Sequence, residues 1–356
     1  METMEFEKFK SMQFPRDVMV GHGVIASLPE ITKSYLKRGS VLIITGNKTY
    51  DLAGGEAEDL IMKSGLEVHV IRTDQANNSN IQKIEEESVD LKPGILIGVG
   101  GGSKIDITKK VAYDLKIPYV SVPTSPSHDG IASPRASIKE KGVFVSEQAV
   151  MPVAIIADTA IMVKAPYRYL AAGAADVISN VTALMDWKLA HRVKGEEYSS
   201  TAAALSEYSS RELIEKAHMI MSGVEESVWL VTKQILASGT AMAIASSSRP
   251  ASGSEHLFAH ALEKLGVGSA IHGEQVAIGS VVCMYLHGGD WEKLASVYRK
   301  INLPIRARDY GIRDEDAIKA LSTAHKIRPE RFTILGDSDL SYNAAERALQ
   351  ITGIIG

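Results

Sequence analysis

Up to about residue 162 the chain alternates short β-branched runs with stretches of helical period, and no other feature limits its fold so strongly. Residues 40–45 form an apolar run closed by Gly46, and comparable runs lie at 68–71, 94–99, 118–122 and 154–157. Each has the length of a buried strand. Helical patterns fall between them, for example at 55–64 and 103–115. Strands separated by helices imply a parallel sheet covered on both faces. Beyond residue 162 the pattern changes, and 165–193, 206–222, 226–246, 254–265 and 273–287 all read as helices. The expectation is an α/β domain over residues 1–162 and an all-helical domain over 163–356. A chain of 356 residues also suggests two domains, at roughly 100–200 residues each.

Composition excludes several classes. Hydrophobic residues make up 45% and charged ones 23%, ordinary globular usage that can build two cores without disulfides. The single cysteine, Cys283, sits in the apolar run Val281-Val282-Cys283-Met284 and reads as core filler. A lone cysteine also fits a reducing compartment. Net charge is −4 with both signs dispersed, so neither nucleic acid nor anionic lipid is an expected partner. The opening METMEFEKFKSMQF lacks the apolar centre of a leader, and no run of about 18 apolar residues appears. The expectation is a cytoplasmic protein with no membrane insertion.

The third strand ends in Gly98-Val99-Gly100-Gly101-Gly102-Ser103-Lys104-Ile105-Asp106, and a helix follows. Glycines let a backbone approach a diphosphate closely, and a helix N-terminus offers free N–H groups. The pattern GxGxxG is not matched, so the run fits either a tight strand-to-helix turn or a phosphate loop. A second polar turn, from Pro123 to Pro134, follows the fourth strand and belongs to the same sheet edge. There the hydroxyls of Thr124, Ser127 and Ser133 suit a cofactor, and Asp129 suits a substrate hydroxyl. The alternative is an ordinary proline-punctuated loop.

Ser252-x-x-Glu255 has the form of a capping box opening a helix. On that helix His256 and His260 stand at i and i+4, so their imidazoles share a face. Near the helix N-terminus the dipole would disfavour a protonated His256, as a metal ligand requires. His272 follows just before another apolar helix. Far upstream, Asp176 lies on an alanine-rich helix among Ala172, Gly173 and Ala183. A carboxylate there is costly unless paired or bound to a cation. Asp176 with two histidines makes an O/N donor set suited to zinc or iron with an open position. The same residues also fit ordinary core and capping roles. His22, His69, His191, His218, His287 and His325 read as surface or core residues.

Five motifs keep their order across nearly the whole chain: GGGSKID at 100–106, TSPSHDGIASP at 124–134, GAAD at 173–176, SEHLFAH at 254–260 and HGEQVAIG at 272–279. In them the chain resembles the glycerol-1-phosphate dehydrogenase family, within the superfamily of iron-containing alcohol dehydrogenases, glycerol dehydrogenases and dehydroquinate synthases. HDGIASP points to that family rather than to plain glycerol dehydrogenases. The resemblance implies an α/β, Rossmann-like parallel-sheet domain followed by an all-helical domain, as in dehydroquinate synthase. It implies that Gly100, Gly101, Gly102, Ser103, Lys104, Ile105 and Asp106, with Thr124, Ser125, Ser127 and Ser133, bind NAD(P)H. Asp176, His256 and His272 would hold one zinc ion per subunit, with iron or nickel as alternatives. Asp129, Asp176 and His260 would contact substrate, and Asp129 and His260 would serve catalysis.

The implied reaction is reduction of dihydroxyacetone phosphate to sn-glycerol 1-phosphate, the backbone of archaeal-type membrane lipids, by a homo-oligomer. The metal would polarise the carbonyl, the nicotinamide deliver hydride, and His260 or water pass the proton. Three rivals stand beside it: a glycerol or alcohol dehydrogenase acting on an unphosphorylated polyol, a dehydroquinate-synthase-like lyase, and a silent nucleotide-binding protein with a structural metal. At the end of the second strand Asp74 suits a ribose hydroxyl and Arg72 a phosphate, which leaves NADH and NADPH both open.

Overall fold

The computed structural model describes residues 11–140 and 143–356, so most of the leader reading, over METMEFEKFK, lies outside the described residues. Eight strands are described: β1 (Asp17–Gly21), β2 (Ser40–Thr45), β3 (Val68–Arg72), β4 (Pro93–Gly100), β5 (Tyr119–Pro123), β6 (Arg135–Glu140), β7 (Val143–Gln148) and β8 (Ala154–Asp158). Six form a parallel sheet in the order β1-β8-β5-β4-β2-β3, and β6 and β7 form a separate antiparallel hairpin.

Alternation along the strands explains the layers. Leu42 and Ile44 face a core shared with Ile81, Ile84, Ile105 and Val111, from helices Asn78–Leu91 and Gly102–Leu115. Val41 and Ile43 face the opposite core with Leu28, Ile31, Ala57 and Ile61, from helices Leu28–Tyr35 and Gly55–Lys63. Every residue of β2 is buried, as a central parallel strand with both faces covered requires. The first of these cores continues into the helical half through Leu170, Ala174, Ile235 and Leu257.

The five strands read from sequence are all present. Two features were not anticipated. β1 pairs with β8 at the sheet edge, where its half-covered DVMVG gives little apolar signal. β6 buries only Ala136 and Ile138, an alternation too brief to announce a strand.

After β8 the described residues carry helices only, including Tyr167–Ile178, Asn180–Lys194, Ser200–Glu215, Glu225–Ala245, Ser254–Leu265 and His272–Leu286. Two helix expectations need correction. The segment 165–193 is divided at Ser179, whose hydroxyl donates to the carbonyl of Asp176 at 2.7 Å and competes with the helix ladder. The helix expected over 206–222 runs from Ser200 to Glu215, because Ser199 caps it by accepting the Ala202 N–H at 3.3 Å. Helix Glu225–Ala245 is long and apolar enough to cross a membrane by length and composition, although 67% of the relevant window is buried inside the protein. It packs against helix Ser200–Glu215 and the turn Asp129–Ala132.

Two glycines permit the contacts that build the site. A Cβ on Gly173 would stand 1.8 Å from the carbonyl oxygen of Pro126, so only glycine lets this helix touch the polar turn after β5. A Cβ on Gly273 would stand 2.1 Å from the carbonyl oxygen of Ala172, so helix His272–Leu286 meets helix Tyr167–Ile178 backbone to backbone.

Candidate active site

A cavity of about 640 Å³ lies between the carboxyl edge of the sheet and the helical half. Asp129, His256, His260 and His272 stand in its wall. Those glycine contacts bring Asp176 to the same place from behind. Asp176 Oδ2 accepts the backbone N–H of Asp129 at 2.9 Å. Its Oδ1 is buried, has no hydrogen-bond partner, and lies 3.4 Å from His256 Nε2 and 3.9 Å from His272 Nε2. An orphaned carboxylate oxygen facing two imidazole nitrogens is the donor set that a cation satisfies. Ligand atoms of Asp176, His256 and His272 all fall within 4.8 Å of one another.

A second set, His260, Glu263 and His272, meets the same distance. Its carboxylate is already satisfied, since Glu263 accepts from His260 Nδ1 at 2.8 Å and from His272 Nδ1 at 3.2 Å. The first set is therefore the better cation site. Its ligands have carboxylate partners on their far nitrogens, Glu255 for His256 at 2.9 Å and Glu263 for His272. Such partners fix the ring orientation and turn Nε2 toward the metal.

Electrostatics within the metal-free cluster follow from these pairs. Burial alone would raise the pKa of Asp176, but His256, His272 and the Asp129 N–H outweigh it and hold the carboxyl well below its usual range. Burial would lower His256, but Asp176 and Glu255 outweigh it and raise its pKa to about 10. The helix dipole therefore does not keep His256 neutral as expected from sequence, because two carboxylates within reach exceed it. Burial and the charge of Asp176 raise the pKa of Asp129, against which Ser238 donates to its Oδ2 at 2.9 Å. Burial lowers the pKa of His260, opposed by Glu263.

The capping box is not formed. Helix Ser254–Leu265 has Gly253 at its N-cap, which shifts the frame by one residue and leaves Ser252 too early to cap. Glu255 turns back to the Gly253 N–H at 2.5 Å, and Asp186 takes the Ser254 N–H at 2.6 Å. Asp186 also accepts from His287 at 2.9 Å. Two buried carboxylates thus anchor the helix start and set His256 in place.

The nucleotide-side residues divide. Ser103, Asp106 and Ser133 belong to the cavity wall, whereas Gly100, Gly101, Gly102, Lys104, Ile105, Thr124, Ser125 and Ser127 stand outside its described walls. The ring of His128 covers Gly102, where a Cβ would stand 1.8 Å from His128 Nε2. Lys104 crosses Gly46 and donates to the Asp74 carbonyl. The Ile105 side chain is core, and Thr124 and Ser125 are buried, the Thr124 N–H donating to the Gly100 carbonyl at 3.0 Å. Asp106 pairs with the buried Lys109 at 2.9 Å, which also donates to the Gly130 carbonyl at 2.7 Å and so straps the polar turn to helix Gly102–Leu115. The Arg72 guanidinium lies 3.7 Å from the centre of the Tyr50 ring.

Several contributors escaped the sequence reading: Glu263, Asp186, Lys109, His128 and Ser238. Of these only Glu263 had a usable signal, its spacing of three from His260 on one helix face.

Residues 19–166 match the model of the iron-containing alcohol dehydrogenase family. The chain is 64% identical over 352 residues to a glycerol-1-phosphate dehydrogenase (NAD(P)+) of Picrophilus torridus, covering 99% of this chain and 100% of that one. It is 47% identical over 344 residues to the protein of the same name from Pyrococcus furiosus, covering 97% and 99%. Among solved structures it is similar to glycerol dehydrogenase from Schizosaccharomyces pombe, with a TM-score of 0.82 over 98% of this chain and 92% of that one, at 22% identity. That likeness concerns the fold, a parallel-sheet half followed by a helical half. Whole-length identity at this level, together with the site's donor set, places the chain in the glycerol-1-phosphate dehydrogenase family of NAD(P)-dependent enzymes.

Proposed function

We propose that this protein reduces dihydroxyacetone phosphate to sn-glycerol 1-phosphate with NAD(P)H at a site organised by one divalent cation on Asp176, His256 and His272. The observation that carries the metal is the buried, unpartnered Oδ1 of Asp176 facing two Nε2 atoms. The substrate reading is supported by whole-length relatives named glycerol-1-phosphate dehydrogenase. Zinc, iron and nickel all accept this donor set, and zinc is our choice for a site of one carboxylate and two imidazoles.

When bound, the cation supplies Lewis acidity toward a carbonyl oxygen. The nicotinamide supplies the hydride. Asp129, held by Ser238 and by its own backbone bond to Asp176, accepts a substrate hydroxyl and fixes the carbon skeleton. His260 donates Nδ1–H to Glu263, so its Nε2 is the atom at which a proton is held and passed to the product oxygen. The glycine run and the turn from Thr124 to Ser133 form the cofactor side. For that binding the Lys104 and His128 side chains, which cover Gly46 and Gly102, give way or join the contact.

This reading includes a division near residue 162 into a cofactor-binding and a metal-binding domain. It includes a cytoplasmic homo-oligomer making a lipid precursor, without nucleic-acid partners, as the dispersed charge supports. The test is NADH oxidation with dihydroxyacetone phosphate beside dihydroxyacetone, before and after chelation. Turnover of the phosphate ester, lost on chelation and restored by zinc, supports it. Preference for dihydroxyacetone would assign the protein to unphosphorylated polyols, and chelator-insensitive turnover would remove the metal.

A further inference from the structure

The cavity that holds the histidines also contains an arginine that the chain leaves without an anion. Arg328 follows the short turn Ala324–Ile327, which packs on helix Ser254–Leu265, and its side chain stands in the cavity wall with His260, His272 and Asp129. Its guanidinium makes no hydrogen bond or ion pair among the described residues, and Glu330 acts on it only at a distance. Its arginine neighbours are committed. Arg249 binds Glu196 at 2.6 Å, and Arg331 donates to the Ser252 carbonyl at 2.6 Å and to Ser248 Oγ at 2.8 Å. The cavity carboxylates are committed too: Asp106 to Lys109, Asp129 to Ser238, and Glu263 to His260 and His272. A half-buried guanidinium without a counter-charge is costly in the empty protein.

We infer that Arg328 binds the phosphate of the substrate and sets the preference for a phosphorylated ketose. The inference rests on the proposed function for its substrate and on the geometry for its residue. A guanidinium can grip two phosphate oxygens at once. Ser248 and Ser252 line the same cavity, and Ser248, which accepts from Arg331, keeps its own O–H to donate to a phosphate oxygen. Burial and the neighbouring charge of Arg135 lower the pKa of Arg328, the direction expected where positive charges crowd without an anion.

The test uses full-length, zinc-loaded protein and the variants Arg328→Gln and Arg328→Lys. Equilibrium dialysis with inorganic phosphate reads the site directly, and steady-state kinetics read KM for dihydroxyacetone phosphate. The expected result for Arg328→Gln is a phosphate dissociation constant and a KM each raised about ten- to hundredfold, as for loss of a charge-assisted hydrogen bond. Arg328→Lys should fall between the two. NADH binding, read by fluorescence, should be unchanged, which also shows that the variant is folded. Unchanged phosphate affinity in Arg328→Gln would overturn the inference, as would a weakened affinity for NADH with phosphate binding intact. Should the wild type bind phosphate through Arg328 yet fail to turn over the ester, the functional reading falls while this assignment stands.

Discussion

Glu263 accepts from two histidines that face different tasks, one beside the proposed metal and one beside the proposed substrate. Removing its charge while keeping its shape should loosen both rings, because the only hydrogen bond that either ring makes on the described chain is to Glu263, and the longer one, to His272, bears on the metal. Glu263→Gln is therefore expected to weaken zinc binding about 10–100-fold. Competition with a chromogenic chelator measures this, and an unchanged dissociation constant would mean the helix alone orients His272. A second expectation concerns protons. A ligand histidine must be neutral, and His256 in the metal-free protein has a pKa raised to about 10, so it carries its proton at neutral pH. Burial lowers the pKa of His272, but Glu263 and Asp176 outweigh it, so zinc uptake near pH 7 should release at least one proton, and affinity should fall as pH is lowered from 10. Calorimetry in two buffers of different ionisation enthalpy counts that proton, and a count of zero would show His256 already neutral. The i,i+4 pair, His272 and Asp176 were legible as candidates because imidazoles and a carboxylate on apolar helices are conspicuous. Their carboxylate partners were less so: Glu255 looks like an ordinary cap residue until the fold turns it inward, and Glu263 shows only in its spacing of three from His260.

Elements buried on both faces were the most legible, and the half-covered edge strand β3 was read as well, from its β-branched residues. β2, β4, β5 and β8 read correctly because continuous β-branched runs have no other soluble home, whereas β1 and the β6–β7 hairpin carry too little apolar sequence to stand out. The break at Ser179 was hidden because apolar composition runs on through it, and only a hydroxyl bonded to the preceding turn marks it. Close helix contacts were hidden for a related reason: a glycine in an alanine-rich helix reads as a neutral small residue. Gly173→Ala tests this. Alanine is intrinsically the better helix former by about 1 kcal/mol. Here its Cβ would meet the Pro126 carbonyl at 1.8 Å, and backbone cannot yield as a flexible side chain does. Overpacking of about 1–3 kcal/mol should win, giving net destabilisation in urea. It should also slow turnover, since the same contact sets the Asp129–Asp176 bond. A more stable variant would show that the turn after β5 shifts freely.

At the scale of the molecule, the proposed ligands come from two consecutive helices and one far upstream, whose Asp176 is bonded to the turn that follows the sheet. One hydrophobic core runs from the sheet into those helices, so the halves share packing as well as the cavity. A cation bound to the folded form alone must then raise the stability of the whole chain. At free zinc 100-fold above its dissociation constant the gain is about 2.7 kcal/mol. For a chain of this size a gain of that order should appear as a rise in Tm of a few degrees, about 1–2 °C for each kcal/mol at an unfolding entropy of about 2.1 cal/mol/K per residue. Differential scanning calorimetry of chelated and zinc-loaded protein measures it, with a single transition expected if the shared core couples the halves. His272→Ala should melt near the chelated wild type and respond little to zinc. Two separate transitions, with only the later half-chain responding to zinc, would show instead that the metal stabilises the helical half by itself and that the continuous core does not transmit the gain.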